Sequence, residues 1–305
     1  MFSILGGLGT SLVSSPAIAS IGHFFNKRRG FATGIASCGG SIGVVILPLV
    51  LSSHFTSVGF GWATRTLGFL FLLLLLIANL LIRSRLPSKP LSRANVVPDP
   101  KIFKDVTFLI VTVAIFSIEW GLFIPLNYII SFALATGAEP TLSYQLLAVS
   151  NAGSFFGRWA PGLLADRIGR FNTMILMILL CLVAIIVFWL PAALVSDIYK
   201  TRALLTVFGL LLGFASGSNI SLGPLCAGQL CETKDYGRYF ATMFTVVGVG
   251  TLVGIPIAGE ILLRDGGSYI GLIGFTGASD AIGLVFFVWA RVRAVGWRIG
   301  KQQIF

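Results

Sequence analysis

The chain has 305 residues, of which 56% are hydrophobic and 11% are charged. Because soluble domains carry about 25% charged residues, this composition excludes a soluble globular protein and indicates a polytopic membrane protein. The net charge of +11 does not indicate nucleic-acid binding, because the basic residues lie in short loops between apolar segments.

Nine segments are long and apolar enough to cross a bilayer, which requires about 20 residues each. They cover approximately 2–21, 31–52, 61–82, 105–127, 139–160, 173–193, 203–226, 238–262 and 269–290. We therefore predict an all-α fold with about nine transmembrane helices. The segment 70–76 is nearly pure leucine, which predicts a lipid-facing third helix. Gly, Ser and Ala favour close packing of the first, fifth, seventh and eighth helices.

The loop charges predict the orientation of these helices. If the 22–30 loop is cytosolic, seventeen Lys and Arg residues fall on the cytosolic side and four on the opposite side. This asymmetry follows the positive-inside rule. Phe305 is then predicted to lie in the cytosol and Met1 on the other side. We expect an integral, multi-pass protein of the plasma membrane rather than of the vacuolar membrane.

The stretch 151–173, NAGSFFGRWAPGLLADRIGRFNT, joins an apolar segment to a charged turn. Arg158 lies inside the apolar part, where an ionisable side chain costs about 3 kcal/mol or more and therefore indicates function. A side chain that reaches back to the membrane surface is the alternative. Small residues suit close packing and a tight turn, and an acid suits the N-terminus of a neighbouring helix. The turn contains Gly162, Asp166, Arg167, Gly169 and Arg170.

The pattern G-x-x-A-D-R-x-G-R in this turn resembles the cytosolic loop signature of the major facilitator superfamily. An internal echo is consistent with its two six-helix repeats, because residues 29–33, RGFAT, recur as 238–242, RYFAT. The resemblance implies three regions. Residues 1–82 would be the last three helices of the N-terminal bundle, 83–104 a Pro-rich cytosolic linker, and 105–305 a six-helix C-terminal bundle with a short tail.

Residues 24–39, FFNKRRGFATGIASCG, resemble the fifth-helix signature of monocarboxylate-porter-like transporters, with Phe24 and Cys38 replacing the usual tyrosine and alanine. Residues 121–129 and 254–271 resemble fungal members. The resemblance covers essentially the whole chain as helices four to twelve, and the first three helices have no counterpart here. It implies that Arg158 contacts an anionic substrate. Ser154 stands where related porters carry an aspartate, so this chain lacks their titratable group there.

Two acids within apolar segments, Glu119 and Asp280, are candidate proton carriers, or neutral acids hydrogen-bonded to a neighbouring helix. We hypothesise that one of them neutralises Arg158 in a shared cavity. Four polar residues are candidates for lining that cavity or for interhelical hydrogen bonds: Asn127, Tyr128, Asn151 and Asn219. The basic cluster Lys27, Arg28 and Arg29 is predicted to stabilise the cytosolic closed state together with Asp166, Arg167 and Arg170.

The sequence contains no catalytic constellation, no P-loop and no metal-ligand spacing, so neither an enzyme nor a cofactor is expected. The expected partners are the lipid bilayer and a small-molecule substrate, with protons as a candidate coupling ion. We expect secondary active transport of a small organic solute, anionic and monocarboxylate-like, by alternating access. The alternative is a truncated fragment or membrane scaffold that does not transport.

Overall fold

The computed structural model describes residues 2–85, 97–195 and 197–296, and within these ranges it contains helices and connecting turns but no strand. A short 3₁₀ turn, Pro100–Lys104, precedes the third helix, and a π-helical turn, Ile185–Trp189, joins α5 to α6. The α-helices are α1 (Phe2–Phe24), α2 (Arg29–Leu81), α3 (Val106–Ala135), α4 (Pro140–Ile168), α5 (Arg170–Ala184), α6 (Leu190–Leu194), α7 (Ile198–Ala227), α8 (Tyr236–Arg264) and α9 (Ile270–Val295).

Helix α2 is 53 residues long and contains a kink that divides it into two membrane-length segments. Gly59 adopts φ 75° and ψ 168° at the kink, a backbone conformation that favours glycine. The two segments are Arg29–Phe55 and Ser57–Leu81. Counting them separately, the described residues contain eight helices long and apolar enough to cross a membrane. Helix α4 is 29 residues long and corresponds to the fifth predicted segment, 139–160, but its Ser, Gln, Asn and Gly residues and Arg158 make it less apolar than the other eight.

Local sequence signals explain several helix ends. Asp105 and Asp197 cap α3 and α7, because their carboxylates accept hydrogen bonds from the Thr107 and Tyr199 amides at 2.9 Å. Gly169 has φ +97° and separates α4 from α5. The charged turn in the stretch 151–173 is therefore a corner at which one helix ends and the next begins on either side of Gly169, as the glycines of the turn indicated.

Six of the predicted segments pack into a bundle formed by α3, α4, the α5–α6 pair, α7, α8 and α9. Its interior holds two apolar clusters, one around Phe108 and Met174 and the other around Trp189. Trp189 stacks on Phe208 with 5.0 Å between ring centroids and is fully buried. The packed bundle therefore holds α4 in place, and another face of α4 contacts α2.

The first half of α2 packs against α4, whereas α1 and the Ser57–Leu81 segment bury almost no side chains among the described residues. Residues 70–76 are all exposed, as predicted for a lipid-facing helix. Among the described residues no atom lies within 4 Å of a Cβ built on Gly6, Gly7 or Gly9, so these three glycines of α1 make no close contact there.

Part of the predicted linker 83–104, residues 86–96, and the tail 297–305 lie outside the described residues. The internal echo falls at equivalent places in two helices. Arg29 is the first residue of α2, and Arg238 is the third residue of α8. Both helices thus start from predicted cytosolic loops.

Candidate functional site

Helices α2 and α4 cross with direct backbone contact near their predicted cytosolic ends. A Cβ built on Gly162 would lie 2.5 Å from the carbonyl oxygen of Gly30, and one built on Gly34 would overlap the carbonyl oxygen of Arg158. Only glycine at these positions permits so close an approach without moving backbone. The glycine in the charged turn therefore has a packing role, as the sequence indicated.

Asp166 lies at the N-terminus of α2. Its two carboxylate oxygens accept hydrogen bonds from the amides of Gly30 and Phe31, each at 2.9 Å. Arg28 occupies the N-cap position of α2 without making a side-chain cap hydrogen bond. The cap is supplied by a different helix, which confirms that Asp166 lies near a neighbouring helix N-terminus.

The Arg158 side chain lies between α4 and α2. Its Nη1 donates to the carbonyl oxygen of Ser37, and its Nε lies 3.4 Å from Ser154 Oγ. A Cβ on Gly40 would lie 2.5 Å from Nη1, so the guanidinium lies directly over this glycine. No hydrogen bond of Nη2 is formed among the described residues. That nitrogen is therefore available to a further acceptor.

A cavity of about 410 Å³ opens between α2 and α4 beyond this arginine, on the side away from the Gly30–Gly162 contact. Ser41 donates to Ser154 Oγ at 3.4 Å, so a chain of polar groups connects Arg158 to the cavity wall. The lining residues are Ser41, Ile42, Val45, Ile46, Ala148, Asn151, Ala152 and Phe155. The wall is thus apolar with a few polar groups, as small-molecule sites usually are.

The hypothesis that Glu119 or Asp280 neutralises Arg158 is wrong for this structure. Among the described residues Arg158 forms no ion pair, and its polar neighbours are Ser37, Ser154 and the Cys38 thiol. The physical reason is the direction of the side chain, which extends from α4 toward α2. One backbone oxygen and one hydroxyl group, rather than a carboxylate, accept hydrogen bonds from its N–H groups.

The two acids instead lie close to each other inside the bundle. Glu119 on α3 is 8% exposed and Asp280 on α9 is 1% exposed, and the two carboxyl groups are near enough to interact electrostatically. The Cys181 thiol also lies beside Asp280. Neither carboxyl oxygen of Asp280 has a hydrogen-bond partner of normal geometry among the described residues.

Asn219 lies at the level of Glu119 in the bundle. Helices α3 and α7 are antiparallel, since Ile129 lies beside Gly209 and Ile115 lies beside Gly223, 3.6 and 3.9 Å from the built Cβ positions. Extending this register places Asn219 opposite Glu119. Asn219 is 1% exposed, and neither polar atom of its side chain has a hydrogen-bond partner among the described residues.

The other predicted polar residues divide between the cavity and helix contacts. Asn151 lines the cavity, while its Nδ2 donates to the Leu147 carbonyl at 2.9 Å. The Tyr128 hydroxyl lies 3.5 Å from the Ile255 carbonyl of α8, an interhelical contact. Asn127 is exposed and donates to the Phe123 carbonyl of its own helix. Neither of these last two lines the cavity.

The basic residues predicted to act in gating have different surroundings. Arg29 is 6% exposed, and its guanidinium lies 4.8 Å from the centroid of the Tyr236 ring. Arg170 is half-buried and donates to the Asn26 carbonyl at 3.4 Å. The remaining three, Lys27, Arg28 and Arg167, are exposed.

Sequence reasoning missed the backbone and hydroxyl partners of Arg158 and the aromatic partner of Arg29. Ser221 Oγ donates to the Arg158 carbonyl at 3.3 Å, and Ser37 and Tyr236 make the contacts already described. The sequence did contain a signal for the face of α2 that packs against α4. Small residues recur there at helical spacing, namely Gly30, Gly34, Cys38 and Ser41. Nothing comparable marked Tyr236, which follows a loop.

The sequence matches the family model described as Major Facilitator Superfamily over residues 1–206. The chain is 36% identical to an MFS-type transporter from Penicillium oxalicum, over 97% of this chain and 68% of that protein. It is 35% identical to a riboflavin transporter from Saccharomyces cerevisiae, over 97% of this chain and 60% of that protein. It is also 36% identical to an agnestins efflux protein from Paecilomyces divaricatus, over 95% of this chain and 64% of that protein.

The chain therefore spans about two thirds of the length of these fungal relatives, which are named as transporters and not as enzymes. The monocarboxylate-porter-like subtype is not among these names. The helical architecture, the charged turn between α4 and α5 and these similarities agree, and the chain belongs to the major facilitator superfamily as an integral, multi-pass membrane protein.

Proposed function

We propose that this chain forms most of a secondary active transporter for a small organic solute that carries an anionic group. One observation carries the proposal: Arg158 lies between α2 and α4 with one guanidinium nitrogen unengaged among the described residues, and Ser154 and Ser41 connect it to the wall of the cavity. An arginine fork holds a carboxylate through two parallel hydrogen bonds. A substrate carboxylate would accept a hydrogen bond from Nη2 and would compete with Ser154 Oγ for the hydrogen bond from Nε.

The cavity wall supports an amphipathic substrate. Six of its eight lining residues are apolar, and Ser41 and Asn151 supply hydroxyl and amide groups. A volume of about 410 Å³ falls within the usual range of about 300–1,000 Å³ for small-molecule sites. The relative named for riboflavin makes a larger, ring-containing substrate a second candidate beside a monocarboxylate.

The same helix pair supports alternating access. At one end α2 and α4 touch through Gly30 and Gly162 and through the Asp166 cap, and at the other end they separate around the cavity. Secondary transporters expose a central site to each side in turn by moving one bundle against the other. The structure would then be the state closed to the cytosol, with Lys27 to Arg29, Arg167 and Arg170 around the closed end.

The experiment is uptake by the purified chain in proteoliposomes of neutral lipid. A panel of labelled organic acids is compared with their neutral amides, and with riboflavin. We expect saturable uptake of at least one acid and at least tenfold slower uptake of its amide, since about 1.4 kcal/mol corresponds to a factor of ten. Equal, non-saturable leakage of every compound would favour the non-transporting fragment or scaffold.

A further inference from the structure

A second, larger cavity of about 880 Å³ lies at the predicted cytosolic side, separate from the cavity beyond Arg158. Three chain segments surround it: the loop before α2, the corner between α4 and α5, and the loop between α7 and α8. Its lining residues are Asn26, Lys27, Arg29, Ala165, Asp166, Arg170, Gly228, Gln229, Cys231, Glu232 and Thr233. The charged groups on this wall determine what it can bind.

Arg29 is a buried cation without a protein acceptor among the described residues. It is 6% exposed, and among the described residues its guanidinium makes neither a hydrogen bond nor an ion pair. Its contact is with the face of the Tyr236 ring, at 4.8 Å. Gly22 and Gly228 leave space for it, because a Cβ on either would lie 2.7 or 2.8 Å from Nη2. A buried guanidinium is stable when acceptors satisfy its N–H groups.

Two further cations line the same cavity. Arg170 is near enough to repel Arg29 electrostatically, and its hydrogen bond is a long one of 3.4 Å to Asn26. Lys27 lies exposed on the wall. Three positive groups that converge on one space favour a ligand with several negative oxygens.

The acidic groups on the wall are already engaged. Both oxygens of Asp166 accept from the amides of Gly30 and Phe31, and Glu232 forms an ion pair with Lys234. Burial raises the pKa of the Cys231 thiol to about 11, so this thiol is uncharged near neutral pH. Asp166 keeps its negative charge and is near enough to attract Arg170 electrostatically, but the wall carries three cations against two carboxylates, so one positive charge is in excess.

We propose that this cavity binds a phosphate group, held by Arg29, Arg170 and Lys27. The group reaches the cavity either as a free phosphate from the cytosol or as the headgroup of an anionic phospholipid. Bound there, it joins the start of α2 to the corner between α4 and α5, two segments that meet while the ends of α2 and α4 are together. It therefore stabilises the state closed to the cytosol, whatever solute the Arg158 cavity takes.

The test is thermal unfolding of the purified full chain in neutral detergent. Two probes are added separately: inorganic phosphate and dioctanoyl phosphatidic acid. Sodium chloride at equal ionic strength and dioctanoyl phosphatidylcholine are the references. A ligand that binds the folded state raises Tm, and we expect an increase of about 2 °C or more with phosphatidic acid. A rise with both probes shows that free phosphate suffices, and a rise with phosphatidic acid alone identifies a lipid headgroup.

Variants localise the effect. Arg29→Gln and Arg170→Gln should lose the Tm increase, and the second keeps the test valid if the first does not fold. Arg167→Gln is the matched control, because Arg167 is an exposed arginine in the same corner that does not line the cavity. No increase with either probe, or an undiminished increase in every variant that folds, overturns the proposal.

Discussion

Asp166 on α4 caps α2 through Gly30, whose amide donates to Oδ1 at 2.9 Å while the next amide, of Phe31, donates to Oδ2 at the same distance. A side-chain cap contributes about 0.5–2 kcal/mol, and a carboxylate at a helix N-terminus adds about 0.3–1 kcal/mol. This cap joins two helices, so it exists only while their cytosolic ends touch. In the proposed alternating-access cycle, its energy would therefore favour the closed state over the open one.

Asp166→Asn should weaken transport without reducing expression. The amide keeps one acceptor oxygen but loses the charge and the second acceptor, so the closed state should lose about 1 kcal/mol, a factor of about five in population. Uptake in proteoliposomes measures transport, and the amount of purified protein measures expression. Asp265→Asn is the control, because Asp265 is an exposed aspartate at the C-terminal end of α8 and lines neither cavity. Unchanged uptake at all substrate concentrations would show that the charged turn determines the topology of the chain and has no role in gating.

Gly34→Ala should separate α2 from α4, because its methyl group would overlap the Arg158 carbonyl. Overpacking of this kind costs about 1–3 kcal/mol, which should lower Tm and slow uptake. Gly39→Ala is the matched control on the same helix, since no atom lies within 4 Å of its built Cβ. An equal loss of Tm in both variants would show that helix flexibility, and not the contact, is responsible.

Glu119 and Asp280 provide a test of proton coupling. An amide of the same shape cannot take up or release a proton, so Glu119→Gln and Asp280→Asn should both fold but remove the stimulation of uptake by a proton gradient. The measurement is uptake with and without an imposed gradient. Glu260→Gln is the control, because this exposed acid pairs with Arg264 at 2.7 Å away from both cavities. A gradient effect that persists in both variants would exclude these acids as the coupling site.

Much of the fold could be predicted from the sequence. The nine predicted apolar segments correspond to nine helical segments of membrane length. They could be recognised because a helix needs about 20 mostly apolar residues to cross the bilayer, and runs of that length stand out in a sequence. The placement of Asp166 and Gly162 was also predictable, since an acid and a glycine near a helix end have few favourable positions. Glu260 and Arg264 are four residues apart on α8, a spacing at which opposite charges meet on a helix, and they form an exposed ion pair.

The partners of Arg158 could not be predicted in the same way. Hydropathy shows that an arginine is inside a membrane segment but does not show which way it points. Its acceptors include the Ser37 carbonyl, and a backbone oxygen leaves no mark on the sequence. The same holds for Arg29, because its stacking on Tyr236 depends on how two distant loops pack.

The loop charges predict a topology with the chain ends on opposite sides. A tag at Met1 should be reached by antibody on intact cells, and a tag at Phe305 only after permeabilisation. Surface labelling of the Met1 tag also tests the plasma-membrane location, because a vacuolar protein would show none. Both tags on the same side would contradict the nine-span topology.

Arg158→Lys should abolish uptake although it preserves the positive charge. The guanidinium reaches the Ser37 carbonyl through Nη1 and Ser154 through Nε while Nη2 stays available. A lysine ammonium is a compact point charge, so it cannot hold these groups and a substrate carboxylate through two parallel bonds. We expect at least a tenfold loss of kcat/KM, or about 1.4 kcal/mol or more, with little change in Tm. Arg264→Lys, at an exposed position, is the matched control. Uptake within twofold of the unmodified chain would show that positive charge alone suffices and that the planar fork has no role in binding.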